Sequence, residues 1–491
     1  MGPPDKEHRS LLRSIARRAM IEKGLLPDFS DEALAELAGM QTPALVDDKK
    51  IRDLRDILWA SIDNDDTRDI DQLTAAQDMP GDAIKILVAV ADVDAMVRAG
   101  SAIDDHARRN TTSVYTAAEI FPMLPEKLST NLTSLSLNED RLAFVVEMLA
   151  GRDGSLQTSN IYRAHVYNHA KLAYNSVAAW LEGIGNAPEA LASVRGLDEN
   201  LRLQERAAQA MNNLRRRKGA LSLETVEARP VFYGDQIREL EVEKKNRART
   251  IIEEFMIAAN ICAASYLSSR KFPSLRRAVR TPKRWERIVE IAGERGFELP
   301  QKPDPAALEE FLVKEKGADP QRFADLSLSI IKLIGPGEYI AVLPGDTCAP
   351  GHFGLAAGAY THSTAPTRRY VDLVMQRLLK AAMEGTTVPY GGDELRTLAI
   401  NCSEKENAAN KVERQVFKSA AAILLESRIG EEFNAIVTGA APKGTWVRLT
   451  QPPVEGKLVE GFHGVDVGHR IRVRLIHTDV ESGFIDFKKV G

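Results

Sequence analysis

Five carboxylates, Asp63, Asp65, Asp66, Asp69 and Asp71, fall within nine residues, just ahead of an apolar strand-like run. So much negative charge in one place is costly unless something positive sits there. A hard divalent cation such as magnesium suits the task, because it binds carboxylate oxygens and recruits substrate phosphates. The chemistry this predicts is hydrolysis of a phosphoryl ester; the plainer alternative is a solvated acidic turn. An EF-hand calcium loop is disfavoured, since its sixth and twelfth positions require Gly and Glu and hold Arg68 and Thr74. In an extended chain Asp69 and Asp71 lie on one side while Ile70 points toward a core, so the acids can converge.

A second stretch, Tyr360-Thr361-His362-Ser363-Thr364-Ala365-Pro366-Thr367-Arg368-Arg369-Tyr370-Val371-Asp372, could supply cations. Thr364 followed by Pro366 reads as a helix start, with Thr364 as cap and Pro at the first helical position. That would place Arg368 and Arg369 in the first turn, beside backbone N–H groups that already attract anions. A phosphate site is the economical reason to put arginines there.

Several elements must position these groups. Ile84–Val93 and Arg141–Ala150 read as apolar strands, and Ile251–Leu267 as a long buried helix with Ala258, Ala259, Ala263 and Ala264 for close packing. Strands and helices mix without regular alternation, which predicts an α+β core over 48–385. Ahead of it, 1–47 holds two short helices, one stopping at Gly24 and one capped by Ser30 and running from Asp31 to about Ala38. This is a small helical module of helix-turn-helix-like spacing. A helical connection spans 386–427. The remainder, 428–491, is a C-terminal β-barrel of oligonucleotide-binding (OB-like) type. Its short strands lie at Phe433–Val437, Gly444–Leu449, Glu455–Val459 and Ile471–Leu475. Such barrels stack bases on aromatics beside a basic groove, and Trp446 with Arg448, and Phe462 with His463, are the candidates. The spacing Gly439 to Gly444 mimics a phosphate loop but lacks the following Lys.

Ser61-Ile62-Asp63, five residues, then Asp69-Ile70-Asp71 resembles the acidic signature of the RNase II (RNB) exoribonucleases, and Tyr360–Asp372 resembles that family's other hallmark. Val90–Val93, Thr112–Tyr115, Phe121–Ser129 and Ile252–Asn260 agree as well, so the resemblance covers about residues 50 to 385. It implies Asp63, Asp69 and Asp71 as magnesium ligands, with Asp71 the carboxylate most needed for catalysis and Arg368 the clamp on the reacting phosphate. Arg369 joins it at the RNA. It also implies that Tyr115 stacks on the 3′-terminal base, that Glu253 reads the terminal ribose, and that the place opposite Tyr115 falls to Leu223, which contacts without aromatic stacking. The chain departs from the family at Gln72, where a fourth Asp is usual; an amide oxygen can coordinate magnesium but brings no charge. Ser363, Ala365 and Thr367 stand where an aromatic, a serine and an isoleucine are usual. The family's N-terminal oligonucleotide-binding barrels are expected to be missing or replaced, since 62 residues precede Asp63.

The 491 residues, net charge −4 and three cysteines without paired spacing fit a reduced, cytoplasmic enzyme of more than one domain. No uninterrupted apolar run approaches the roughly 20 residues that span a bilayer, which excludes a membrane role at this level. The basic clusters are local, at Arg215–Lys218, Lys244–Arg249, Arg276–Arg287 and Arg368–Arg369. His362, His352 and His106 have no partners at metal spacing and are not expected to be catalytic.

The function expected is a processive, magnesium-dependent, hydrolytic 3′→5′ exoribonuclease. It would take the 3′ end of single-stranded RNA, release nucleoside 5′-monophosphates and work as a monomer, with duplex contact by the N-terminal module as a further option. Direction and processivity rest on the resemblance alone. The alternative from another class is a catalytically silent RNA-binding protein in which Gln72 has spoiled the metal site. A DNA-directed nuclease is the third reading.

Overall fold

The computed structural model describes residues 8–44, 48–224, 227–243, 245–320 and 322–490; Lys244 of the second basic cluster lies outside them. Helices α1 (His8–Glu22) and α2 (Asp31–Gly39) come first along the described chain. Ser30 caps α2, its side chain accepting from the Ala33 N–H. The two helices have different main partners: α1 lies on a long C-terminal helix and α2 on α3 (Ala102–Asn110). They brace separate parts of the core, where the sequence suggested a helix-turn-helix pair.

The main core is built on a seven-stranded mixed sheet. Its strands are β1 (Arg52–Asp53), β2 (Ala60–Asp63), β3 (Gln72–Met79), β4 (Ala83–Ala91), β7 (Asp140–Ala150), β8 (Leu156–Tyr167) and β9 (Ala170–Ala173). The spatial order is β1-β8-β7-β4-β3-β2-β9, with the β1–β8 and β2–β9 pairs parallel. β4 and β7 are central and buried along most of their length, which is why they read as continuous apolar runs rather than alternating ones. Between β4 and β7 lies a small hairpin, β5 (Val114–Tyr115) and β6 (Ile120–Phe121).

Helices α4 (Tyr174–Leu181), α5 (Glu189–Ala192) and α6 (Leu197–Arg217) lead to a hairpin, β10 (Glu227–Tyr233) and β11 (Gln236–Glu243), and then to α7 (Arg247–Ser269). α7 passes for a membrane span by length and composition, but Glu253, Glu254 and Asn260 interrupt it. Most of its apolar face, Phe255, Ala259 and Ala263 included, is buried in the core. β12 (Ser274–Ala278) pairs with β13 (Glu338–Val342), and between them α8 (Trp285–Gly293), α9 (Pro305–Ala318) and α10 (Phe323–Ile334) make a separate apolar cluster. α11 (Tyr370–Glu384) lies against α7 and β12.

α12 (Gly392–Leu425) has 34 residues, so it runs about 51 Å. It feeds three apolar clusters in turn: Leu395, Leu398 and Cys402 in the main core, Val412 and Val416 against α1 and the β5–β6 hairpin, and Ala421, Ala422 and Leu425 in the barrel. The barrel is closed, in the order β14-β15-β16-β18-β17, from β14 (Glu432–Ala441), β15 (Gly444–Leu449), β16 (Glu455–Glu460), β17 (Arg470–Asp479) and β18 (Phe484–Lys489). β18 is not among the strands expected from the sequence, because only Ile485 and Phe487 of its six residues are buried.

A buried ionic network ties α11 to the sheet. Arg377 bonds Asp94 and Asp104, each at 2.8 Å, and Lys380 bonds Asp92 and Asp94, each at 2.8 Å, while Asp92 also receives Arg163 at 2.7 Å. Charges this deep persist because each has a partner and further hydrogen bonds.

Candidate active site at the acidic strand and the arginine loop

The acidic stretch leaves β2 at Asp63 and re-enters the sheet at Gln72, so its carboxylates sit on the loop joining two neighbouring strands. That loop is held from outside. The Ser134 hydroxyl accepts from the Ile70 N–H at 3.0 Å and donates to the Arg68 carbonyl at 3.1 Å, and the Leu135 N–H bonds the Ile70 carbonyl at 2.9 Å. Lys171 on β9 donates to the Thr67 carbonyl at 2.6 Å. Ile70 is buried, as the alternation predicted, while Asp69 faces the Tyr115 hydroxyl and Asp71 the arginine loop.

Asp71 is the most deeply placed of the acids, 3% exposed. Its Oδ1 accepts from the Thr367 N–H at 3.1 Å and the Thr367 hydroxyl at 2.7 Å, and its Oδ2 lies 3.6 Å from Arg368 Nε. Burial nevertheless pushes its carboxyl up to about 7, against the pull of Arg368 and Thr367 and with help from the charge on Asp69. Asp69 is raised too, first by burial and then by Asp63. A carboxylate that stays hard to ionise beside two others is short of positive charge.

The arginine loop differs from the sequence expectation. α11 begins at Tyr370, with Arg369 extended at its N-cap, four residues later than a start at Pro366. The reason lies in competing hydrogen bonds: the Ser113 N–H takes the Arg368 carbonyl at 3.0 Å, the Tyr370 N–H takes the Thr111 carbonyl at 2.8 Å, and Thr367 turns to Asp71. Backbone committed to another loop cannot enter the helical ladder. Asp372 therefore occupies the first turn, where an acid suits the dipole. Arg368 points outward, its side chain 43% exposed. Arg369, expected at the RNA, turns inward and pairs with Asp372 at 2.8 Å; Asp372 in turn accepts from the Ala365 N–H at 2.7 Å.

Tyr115 stands at the rim. Its hydroxyl lies 3.5 Å from Asp69 Oδ2 and its backbone N–H donates to Glu413 of α12 at 2.8 Å. It lines a cavity of about 780 Å³ shared with Arg414, Lys418 and Glu413 of α12 and with Arg448 of the barrel. Trp446 is on the same outward-facing side of β15, half-buried, with Lys443 Nζ 5.8 Å from its ring, but it does not line that cavity. Leu223 packs against the α8–α10 cluster and lines a different cavity, of about 310 Å³, with Glu253 and Arg215. Tyr115 and Leu223, set opposite each other by the sequence reading, line different cavities. Glu253 pairs with Lys245 and lies 3.8 Å from Arg215, while Glu254 beside it is buried on Arg215 at 2.5 Å. A third cavity, about 580 Å³, opens beside Asn64 and Asp65, where Arg249 donates to Asn64 at 2.9 Å and lies over Tyr174.

Single arginines of the basic clusters are spent internally: Arg215 on Glu254, Arg277 on Glu406 at 2.5 Å, and Arg287 on the Val467 carbonyl at 3.0 Å. His362 bonds Tyr339 at 2.8 Å, and burial beside Arg369 and Arg277 holds it neutral. Thr367, Ser134, Lys171 and Glu413 are the site-building residues that sequence reasoning missed; Thr367 alone carried a signal, as a departure next to Arg368.

The donor set suits a hard cation, since Asp63, Asp69 and Asp71 offer only carboxylate oxygens and Asp71 is under-compensated. Among the described residues no three His, Cys, Asp or Glu side chains close into a metal cage. Magnesium asks for less, because it keeps several waters and takes one or two carboxylates together with substrate phosphate.

Comparison with known proteins places this geometry. Residues 51–385 match the RNB domain and residues 431–490 match the RNase II-type exonuclease C-terminal S1 domain. Ribonuclease R of Escherichia coli (strain K12) is 32% identical over 478 residues, covering 89% of this chain and 57% of its own length. The chain therefore spans less than two thirds of that relative. Among solved structures, Mycoplasma genitalium RNase R matches with a TM-score of 0.85 at 21% identity, over 98% of this chain and 78% of its own. That protein has been solved in its apo form and in complexes with ribose-methylated single-stranded RNA and with double-stranded RNA. Yeast Ssd1, described as a pseudonuclease, matches with a TM-score of 0.69 at 17% identity, over 93% of this chain and 56% of its own. At such identities the structural matches speak for the fold. With the RNB match running from the acidic strand through the arginine loop, and the S1 match over the barrel, the chain belongs to the RNase II (RNB) family.

Proposed function

We propose that the chain is a magnesium-dependent, hydrolytic 3′→5′ exoribonuclease that degrades RNA processively to nucleoside 5′-monophosphates. The observation that carries this reading is Asp71: a buried carboxylate, short of positive charge, fixed by Thr367 and faced by a solvent-reaching Arg368. Magnesium, when bound, would supply Lewis-acid polarisation of the scissile phosphate and a water activated for attack. Asp63, Asp69 and Asp71 would hold it. Arg368 offsets charge that develops on the phosphate oxygens, a role its outward guanidinium can fill without leaving Asp71. Tyr115 offers a ring at the rim for a terminal base, and Arg448 guides the strand through the cavity it shares with Tyr115. Glu253, kept by Lys245 and Arg215 at the mouth of its own cavity, is the acceptor for a ribose 2′-hydroxyl.

This fold occurs in a pseudonuclease as well, so the choice between enzyme and silent protein turns on the site residues. Retention of the three acids with Arg368 favours the enzyme. A reducing compartment, the cytoplasm, suits the free thiols Cys262, Cys348 and Cys402, and a monomer is the assembly proposed. The test is a 5′-labelled single-stranded RNA incubated with magnesium, with EDTA, and with the D71N variant. Shortening to a small 5′-labelled product, abolished by EDTA and by D71N, supports the reading. Intact RNA that still shifts in a binding gel favours the RNA binder.

A further inference from the structure

Gln72 stands in the place of the acid that would complete the carboxylate set, and its side chain is already engaged. Its Nε2 donates to the carbonyl of Thr364, a residue 3% exposed at the start of the arginine loop. A carbonyl only accepts, so the group facing it must be the amide NH2. Three further contacts cross the same seam: the Thr367 N–H and hydroxyl on Asp71, and Arg368 Nε near its other oxygen. We propose that Gln72 is a positioning residue, a latch that binds the arginine loop to the acidic strand through its N–H, and not a ligand of the metal. The loop has few helical bonds of its own, since α11 starts only at Tyr370, so these side-chain contacts fix where Arg368 stands over Asp71.

The consequence runs against the simplest expectation. Restoring an acid by Gln72→Asp would add charge to the site, yet it removes the donor, shortens the arm and turns a carboxylate toward a carbonyl oxygen. Gln72→Met keeps the length and removes both donor and acceptor. Only the kinetic arm of the test rests on the exoribonuclease reading.

The experiment measures three quantities on wild type, Q72M and Q72D. These are amide hydrogen exchange of the segment 361–371, manganese affinity of the metal-depleted protein without RNA, and steady-state RNA hydrolysis. The latch predicts that both variants speed exchange in that segment by about five-fold or more, with the rest of the core unchanged, because a buried carbonyl loses its donor. It predicts manganese affinity within about two-fold of wild type in Q72M, and a kcat lower by about ten-fold with little change in KM in both variants. Unchanged exchange in both variants overturns the proposal. So does the pair of results expected of a ligand, tighter manganese binding in Q72D and weaker binding in Q72M. A wild type that hydrolyses no RNA would sink the exoribonuclease reading, and the exchange and manganese measurements would still decide the latch.

Discussion

At the scale of single residues the site is a problem of charge. Asp71 resists ionisation because it is dry, and Arg368 does not fully compensate because its guanidinium reaches outward. Arg368→Ala should lower kcat by about 10²–10³-fold with a smaller effect on RNA affinity, the usual cost of losing one preorganised stabiliser of transition-state charge. Single-turnover and binding measurements separate the two. Asp71 also makes stability depend on pH. Its folded value, about 7, lies above that of an unfolded Asp, so between about pH 4 and 7 the folded state holds the extra proton. The metal-free protein should therefore lose stability as pH rises through that window, and D71N should not share that part of the loss. Denaturant midpoints at pH 5 and 8 in EDTA check the sign; magnesium should reduce the loss, because it favours the ionised form.

Among the elements, α1 and α12 set the rim of the site. Leu12, Ile15 and Met20 of α1 pack with Val114 and Phe121 of the Tyr115 hairpin and with Val412 and Val416 of α12, while Arg17 bonds Glu119 at 3.0 Å. Arg18 reaches Glu481 of the barrel at 2.8 Å. Ile15→Ala should cost about 2–4 kcal/mol, seen in chemical denaturation, and should loosen the Tyr115 hairpin in hydrogen exchange. α11 depends on ions instead. Arg377→Met leaves the buried Asp104 without its ionic partner and Asp94 with Lys380 alone, and should cost about 3–5 kcal/mol by the same measurement.

Across the whole molecule, α12 packs into both the main core and the barrel, with Tyr115 and Arg448 lining a common cavity at the junction. The net charge of −4 is compatible with the RNA binding proposed, because a local cluster of cations can serve recognition on a chain whose total charge is negative. Arg448→Ala should weaken RNA binding similarly for all sequences and reduce the salt slope by about one, with kcat at saturating RNA unchanged. Binding titrations over a range of salt decide it.

The sequence by itself carried the family in its two motifs, and it determined the core strands β4 and β7, the helices α7 and α12, the Ser30 cap and the barrel, because apolar periodicity and cap chemistry are local properties. It also brought forward Asp63, Asp69, Asp71 and Arg368, whose spacing within each motif carries their chemistry. Tertiary structure alone decided what joins the two motifs, nearly 300 residues apart: Thr367 on Asp71 and Gln72 on the Thr364 carbonyl. It delayed α11 by giving the arginine loop's backbone to Thr111 and Ser113, and it turned Arg369 inward to Asp372. Each of these outcomes is a competition for hydrogen bonds or burial between segments remote in the chain, and no local pattern records which partner wins.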